Sequence, residues 1–166
     1  MCSLRISSIV SCILFVQFGQ ISASNLLLVL VSYNEYTSVP ESLKRLLKNS
    51  YSPYSGFRVA SICLMKDGKS FGGVNVENAS YGGSICAERV AICTAIASGY
   101  TKGDFSKLYV MCDSPKVSSS CFICRQVINE FFDKDAEVIF YSNDGEKEVY
   151  TVGDLCPYPF GSSDLK

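Results

Sequence analysis

Two short segments, Cys86-Ala87-Glu88 and Cys121-Phe122-Ile123-Cys124, constrain this chain more than anything else in it. Cys-x-x-Cys spacing offers two thiols to one metal ion, and Cys86 supplies a third. Three protein ligands leave one coordination position open, as in a catalytic rather than a structural zinc site. A carboxylate two residues from a ligand is placed to carry protons to and from a reacting water. The chain contains no histidine. Its proton chemistry therefore falls to carboxylates, thiols, tyrosines or lysines, with Glu88 the first choice. Any fold it adopts has to bring residues 86, 88, 121 and 124 to one point.

The 166 residues predict a single domain with a core of ordinary size. A net charge of −1 lacks the basic face that nucleic-acid binders use. It fits a small-molecule enzyme or a neutral interaction module. Nine cysteines would be a disulfide framework in a secreted chain, but the Cys-x-x-Cys spacing points to thiolate–metal chemistry in a reducing compartment. Cys2, Cys12, Cys63, Cys93, Cys112 and Cys156 read as small buried or leader residues.

Residues 1–36 differ from the rest. A weakly basic start precedes an apolar run from Ile6 to Phe18. Ile21-Ser22-Ala23-Ser24 follows with small residues that a signal peptidase accepts, and then comes a second apolar run from Leu26 to Val31. Neither run has the roughly 20 residues that span a bilayer. Two readings stand: a secretory leader, or a start assigned upstream of a true beginning near Tyr36. The folded domain is expected over 37–166. Zinc–thiolate chemistry fits the cytosol, and secretion follows only if the leader is a real signal peptide.

Within that domain Ser38-Val39-Pro40-Glu41 opens a helix with an N-cap serine, an early proline and an acid in the first turn. Leu43, Leu46 and Leu47 form its apolar stripe, and Asn49 closes it. Phe57 to Lys66 and Ser70 to Glu77 read as a hairpin about Asp67-Gly68. Cys86 to Ser98 is a helix stopped by Gly99. Lys107 to Cys112 is a strand and Cys124 to Phe132 a helix. Ala136 to Ser142 is a strand, and after an Asn143-Asp144-Gly145 turn a last strand runs near Glu148 to Val152. Five strands interleaved with helices predict an α/β three-layer sandwich around a mixed, five-stranded sheet.

On this plan Cys86 and the Cys121–Cys124 pair start two helices, whose unpaired N–H groups favour thiolates. Cys93 lies seven residues along the same helix as Cys86, a rise of roughly 10 Å, too far to share one ion. Cys112 and Cys156 stay open as a fourth ligand that would make the site structural. Three thiolates leave a zinc complex negatively charged, which weakens activation of water. A cation against the sulfurs offsets this. Arg89 and Arg125 are both adjacent, and Arg89 is preferred because it lies in the first turn after Cys86. Asn75 and Glu77, two apart at the end of the second strand, share a face. An amide beside a carboxylate can grip vicinal hydroxyls such as those of a ribose.

Taken together these residues resemble the small homotetrameric cytidine deaminases, from about Ser50 to Leu165. The resemblance rests on Tyr51-Ser52-Pro53-Tyr54-Ser55-Gly56-Phe57, Asn75-Val76-Glu77-Asn78-Ala79-Ser80-Tyr81, Cys86-Ala87-Glu88-Arg89 and Cys121-Phe122-Ile123-Cys124-Arg125-Gln126-Val127. The closing Leu155-Cys156-Pro157-Tyr158-Pro159-Phe160-Gly161 also matches. It implies one zinc ion per chain on Cys86, Cys121 and Cys124. Glu88 would carry protons from water to the base and then to the leaving ammonia. It further implies cytidine and deoxycytidine as substrates, salvage of pyrimidines as the setting, and no nucleic acid. Asn75 and Glu77 would hold the ribose and Phe57 would pack on the nucleoside. Tyr81 and Phe160 would reach active sites shared between the subunits of a homotetramer. Two departures stand out. The family's Pro-Cys-Gly reads Ser120-Cys121-Phe122 here, and its Phe-Gly-Pro reads Phe160-Gly161-Ser162. A ring in place of that glycine is expected to crowd the zinc loop or narrow the base pocket. The alternatives are therefore a catalytically impaired zinc-binding homologue, or a deaminase for another aminopyrimidine nucleoside.

Overall fold

The computed structural model describes residues 38–165, and the segment read as a leader lies outside them. Helix α1 is Val39–Leu47. Its first turn is closed by a capping box in which the Ser38 amide donates to Glu41 Oε2 at 3.0 Å. Leu43 and Leu47, one turn apart, are buried.

Strands β1 (Val59–Met65) and β2 (Ser70–Val74) form the expected hairpin. Helix α2 is Ala87–Ala97, β3 is Phe105–Cys112, α3 is Phe122–Phe131, β4 is Glu137–Tyr141 and β5 is Lys147–Thr151. A four-residue helix α4, Val152–Leu155, follows directly. The five strands form one sheet in the order β2-β1-β3-β4-β5. Only β3 and β4 run parallel, joined by the α3 crossover, and the other neighbours are antiparallel. The sheet is therefore mixed, as predicted.

Alternation along the central strands divides the core in two. Ala60, Ile62, Tyr109 and Met111 pack under α1 with Leu43 and Leu47. Cys63, Met65, Leu108 and Val110 pack on the opposite side with Ala91, Ile92 and Ala95 of α2 and Ile128 of α3. The result is three layers.

On β2 a pair of glycines lets both helix layers approach. A Cβ on Gly72 would meet Leu46 Cδ1 at 2.9 Å, and one on Gly73 would meet the Ala91 amide nitrogen at 2.3 Å. A glycine inside a strand often marks such a close backbone approach. Here it fixes the height of α2 over the sheet, and α2 carries Glu88.

Candidate active site

Cys86 is the N-cap of α2 and Cys121 the N-cap of α3, and neither thiol bonds back to its own helix. Both sulfurs are thus left to face outward from the helix starts. Cys124 lies one turn into α3, on the same side as Cys121, and is fully buried. The two helix starts meet. The Cys86 and Cys121 sulfurs are 3.8 Å apart, and all three sulfurs lie within 4.8 Å of one another.

This donor set fits zinc. Two sulfurs each about 2.3 Å from a tetrahedral ion sit about 3.8 Å apart, which is the Cys86–Cys121 separation. Neither cysteine left open as a fourth ligand joins the cluster. Cys112 points its thiol at the Lys116 and Tyr141 carbonyls, and Cys156 is not among the grouped residues. The described cysteines are free thiols.

Electrostatics around the sulfurs favour charge on Cys86. Its thiol is pulled down to about 6, first by the hydrogen bond from Cys124. Burial opposes this, and the Arg89 guanidinium adds to it. Cys124 is pushed up by Cys86 and by burial, so it keeps the proton of the pair. Arg89 Nη2 lies 3.8 Å from Cys86 Sγ and donates to the Ser84 carbonyl at 3.3 Å. Its Nε is buried without a partner. Arg125, the other arginine considered, turns away from the sulfurs. It donates to the Ser120 carbonyl at 2.8 Å, the Leu155 carbonyl at 3.2 Å and Ser119 Oγ at 2.6 Å.

Glu88 follows on the inward face of α2, in line with Ala91, Ile92 and Ala95 at helical spacing. It is 3% exposed, and Ser120 Oγ donates to its Oε1 at 2.6 Å. Its carboxylate borders a cavity of about 210 Å³ together with Cys86, Cys121, Asn75, Glu77 and Phe57. The remaining wall comes from β1 and β3 (Val59, Val110, Cys112) and from the Ser55 and Ser118-Ser119 loops.

The sugar-gripping pair sits just past β2 rather than in it, since the strand ends at Val74. Val76 continues the extended path by bridging Tyr51 and Ile85, so Asn75 and Glu77 still face one way. Both side chains are already employed. Asn75 Oδ1 accepts from Ser50 Oγ at 2.6 Å and from the Val59 amide at 2.8 Å, and its Nδ2 donates to the Phe57 carbonyl at 2.8 Å. One of the four bonds an amide can make is left for a ligand. Glu77 accepts from the Tyr54 and Ser55 amides at 2.9 and 3.2 Å and from the Ser55 hydroxyl. These bonds, the Ser55 hydroxyl foremost, hold its carboxyl below the usual range.

Tyr81 and Phe160 stand apart from the metal cavity. Tyr81 is 77% exposed and lines a neighbouring depression of about 300 Å³ with Tyr54 and Glu77. Phe160 is 56% exposed and tied through its carbonyl to Gln126 Nε2 at 2.8 Å.

Comparison with known proteins agrees with this geometry. Residues 34–142 match the model of the cytidine and deoxycytidylate deaminase zinc-binding region. The chain belongs to the cytidine deaminase family. It is 37% identical over 118 residues to the cytidine deaminase of Halalkalibacterium halodurans, covering 71% of this chain and 88% of that relative. It is 32% identical over 123 residues to that of Mycoplasma genitalium, covering 74% and 93%. Among solved structures, the cytidine deaminase of Burkholderia pseudomallei superposes with a TM-score of 0.72 at 38% identity, over 76% of this chain and 99% of that one. That of Mycobacterium tuberculosis gives 0.62 at 29%, over 75% and 99%.

Set against the family pattern, Phe122 does not crowd the site. It is the first residue of α3, its ring is 80% exposed and it lies outside the cavity lining. The Arg125 guanidinium stacks on it, 4.8 Å from the ring centre. Sequence reasoning assigned no role to the serines at the site. Ser55 binds Glu77, Ser50 binds Asn75 and Ser120 binds Glu88. The serine run before Cys121 was the available clue.

Proposed function

We propose that this cytidine deaminase hydrolyses the exocyclic amine of cytidine and deoxycytidine, giving uridine or deoxyuridine and ammonia in pyrimidine salvage. The observation that carries this reading is one buried carboxylate, Glu88, on the same cavity as three converging thiols. A zinc ion on Cys86, Cys121 and Cys124 would supply the Lewis acidity that makes water a nucleophile at neutral pH.

The protein's own groups do the rest. Glu88 takes a proton from the attacking water and gives it to the ring nitrogen beside the reacting carbon. It then moves a proton to the departing amine, so that water and the aminopyrimidine become a carbonyl and ammonia. Arg89 keeps positive charge against Cys86. The remaining Asn75 N–H and the Glu77 carboxylate meet the sugar hydroxyls, and Phe57 offers its ring to the base. No lysine or arginine lines the cavity among the described residues. This favours a free nucleoside over a phosphorylated one or a nucleic acid, which would call for cations.

We read residues 37–166 as the catalytic domain, with 1–36 a leader or a start placed too far upstream. No described helix is long and apolar enough to cross a membrane. We place the enzyme in the cytosol because three reduced thiols at a metal suit a reducing compartment. The exposed rings of Tyr81 and Phe160 support a homotetramer in which each reaches a neighbour's site.

Zinc content per chain, measured alongside the absorbance change from cytidine to uridine, tests the reading on the purified protein. About one zinc with conversion is expected. Zinc without conversion of either nucleoside would move the assignment to a silent homologue or another aminopyrimidine.

Two variants bear on the parts. Cys86→Ala should lose metal by more than the roughly 10–100-fold that a supporting residue is worth, and activity with it. A fully metallated, active variant removes Cys86 from the ligand set. Asn75→Ala should keep zinc but raise KM about tenfold or more, because it removes one hydrogen bond to the sugar and loosens the Phe57–Val59 wall that Asn75 holds. Unchanged nucleoside affinity would place the sugar elsewhere.

A further inference from the structure

Among the described residues Glu88 has one side-chain hydrogen-bond partner, and deamination itself gives that partner nothing to do. Ser120 Oγ lies 2.6 Å from Glu88 Oε1. Both residues are buried, at 5% and 3% exposure. They lie on segments 32 residues apart that meet only because α2 and α3 converge. A hydroxyl has one proton to give, and here it is committed to one oxygen of a carboxylate that has to work with the other.

Ser120 is itself held. Its carbonyl accepts from Arg125 Nε at 2.8 Å, and the same guanidinium grips Ser119 Oγ at 2.6 Å and the Leu155 carbonyl at 3.2 Å. The donor therefore sits on an anchored loop rather than a free one. Cys121, next in the chain, is a member of the sulfur cluster. Glu88 and the thiols are thus referenced to the same short segment.

We infer that Ser120 is a positioning residue for deamination, fixing Glu88 Oε1 so that Oε2 is presented to the cavity for proton transfer. This rests on the proposed role of Glu88 as proton carrier. The carboxylate would otherwise turn about its last torsion, which is a broad and nearly free rotation. A displacement of about 1 Å at a reacting group can cost on the order of 100-fold in rate.

The test uses the full chain with Ser120→Ala, Ser120→Thr, Glu88→Gln and the double variant Ser120→Ala/Glu88→Gln. The readouts are zinc content, uridine binding by calorimetry, KM and kcat. Ser120→Ala should lower kcat about 10- to 100-fold while zinc content, uridine affinity and KM stay at wild-type values. Ser120→Thr, which keeps the hydroxyl, should restore kcat to within a few-fold. In the Glu88→Gln background, removing the hydroxyl should change residual kcat no further, because the two groups act as a unit.

A Ser120→Ala enzyme with wild-type kcat overturns the inference. So does a kcat loss that merely tracks lost zinc, or a loss that adds fully to that of Glu88→Gln. Where Ser120→Ala does not fold, the threonine variant decides: a large kcat loss despite its hydroxyl counts against positioning, and retention supports it. If Glu88→Gln itself turns over normally, the proton-carrier reading fails first. If it is inactive while Ser120→Ala is normal, only the positioning role fails.

Discussion

Glu88→Gln is expected to bind zinc at the wild-type level and to lose turnover by about 10²–10⁴-fold, the usual worth of a general acid–base group. The amide is nearly the size of the carboxylate, so α2, the three sulfurs and the cavity should be undisturbed. The Ser120 hydroxyl can still donate to the amide oxygen. What disappears is an oxygen that can both accept and release a proton. Zinc analysis and absorbance kinetics on the same sample give the answer. A variant within a few-fold of wild type would show that another group moves the proton. A variant without zinc would show that Glu88 holds the metal site together rather than serving its chemistry.

Gly73→Ala should cause the largest loss of stability. The added Cβ would lie 2.3 Å from the Ala91 amide nitrogen, 2.6 Å from the Ala87 carbonyl oxygen and 2.9 Å from the Val90 carbonyl carbon. All three are backbone atoms of α2, so no side chain can rotate out of the way and the helix must lift. Overpacking of this kind costs about 1–3 kcal/mol, and a clash with backbone alone belongs at the upper end, roughly 10 °C in Tm for a domain of this size. Activity should fall with it, since α2 carries Cys86 and Glu88. Gly72→Ala is the internal control. Its Cβ meets only the end of the Leu46 side chain, at 2.9 Å, and should be milder. Equal melting temperatures for both variants would show that α2 is not seated on β2 through this contact.

The cysteine cluster, the position of Glu88 beside it and α1 were legible because short spacings encode them: Cys-x-x-Cys, Cys-x-Glu and a Ser38–Glu41 capping box. The layer class followed from the alternation of strand and helix patterns. Boundaries were less legible. The helix expected from Cys124 begins at Phe122 because Cys121 serves as its N-cap. That shift turns the Phe122 ring outward instead of into the loop. Helix α4 is too short to show a period, though its capping box, Thr151 with Asp154, was written in the chain. The bonds of Ser50, Ser55 and Ser120 span 25, 22 and 32 residues. No local pattern encodes partners at that range, and only the folded sheet with its two converging helices brings them together.

One guanidinium has a wider reach than its place beside Cys124 implies. Arg125 and its neighbour Gln126 fasten the stretch after β5 to α3, through the carbonyls of Leu155 and Phe160. The stretch from Leu155 to Phe160 is therefore part of the support of α3. Proteolytic clipping after β5, or a tag that pulls on this stretch, would free Arg125 from one of its anchors and be felt by the loop that presents Ser120 and Cys121.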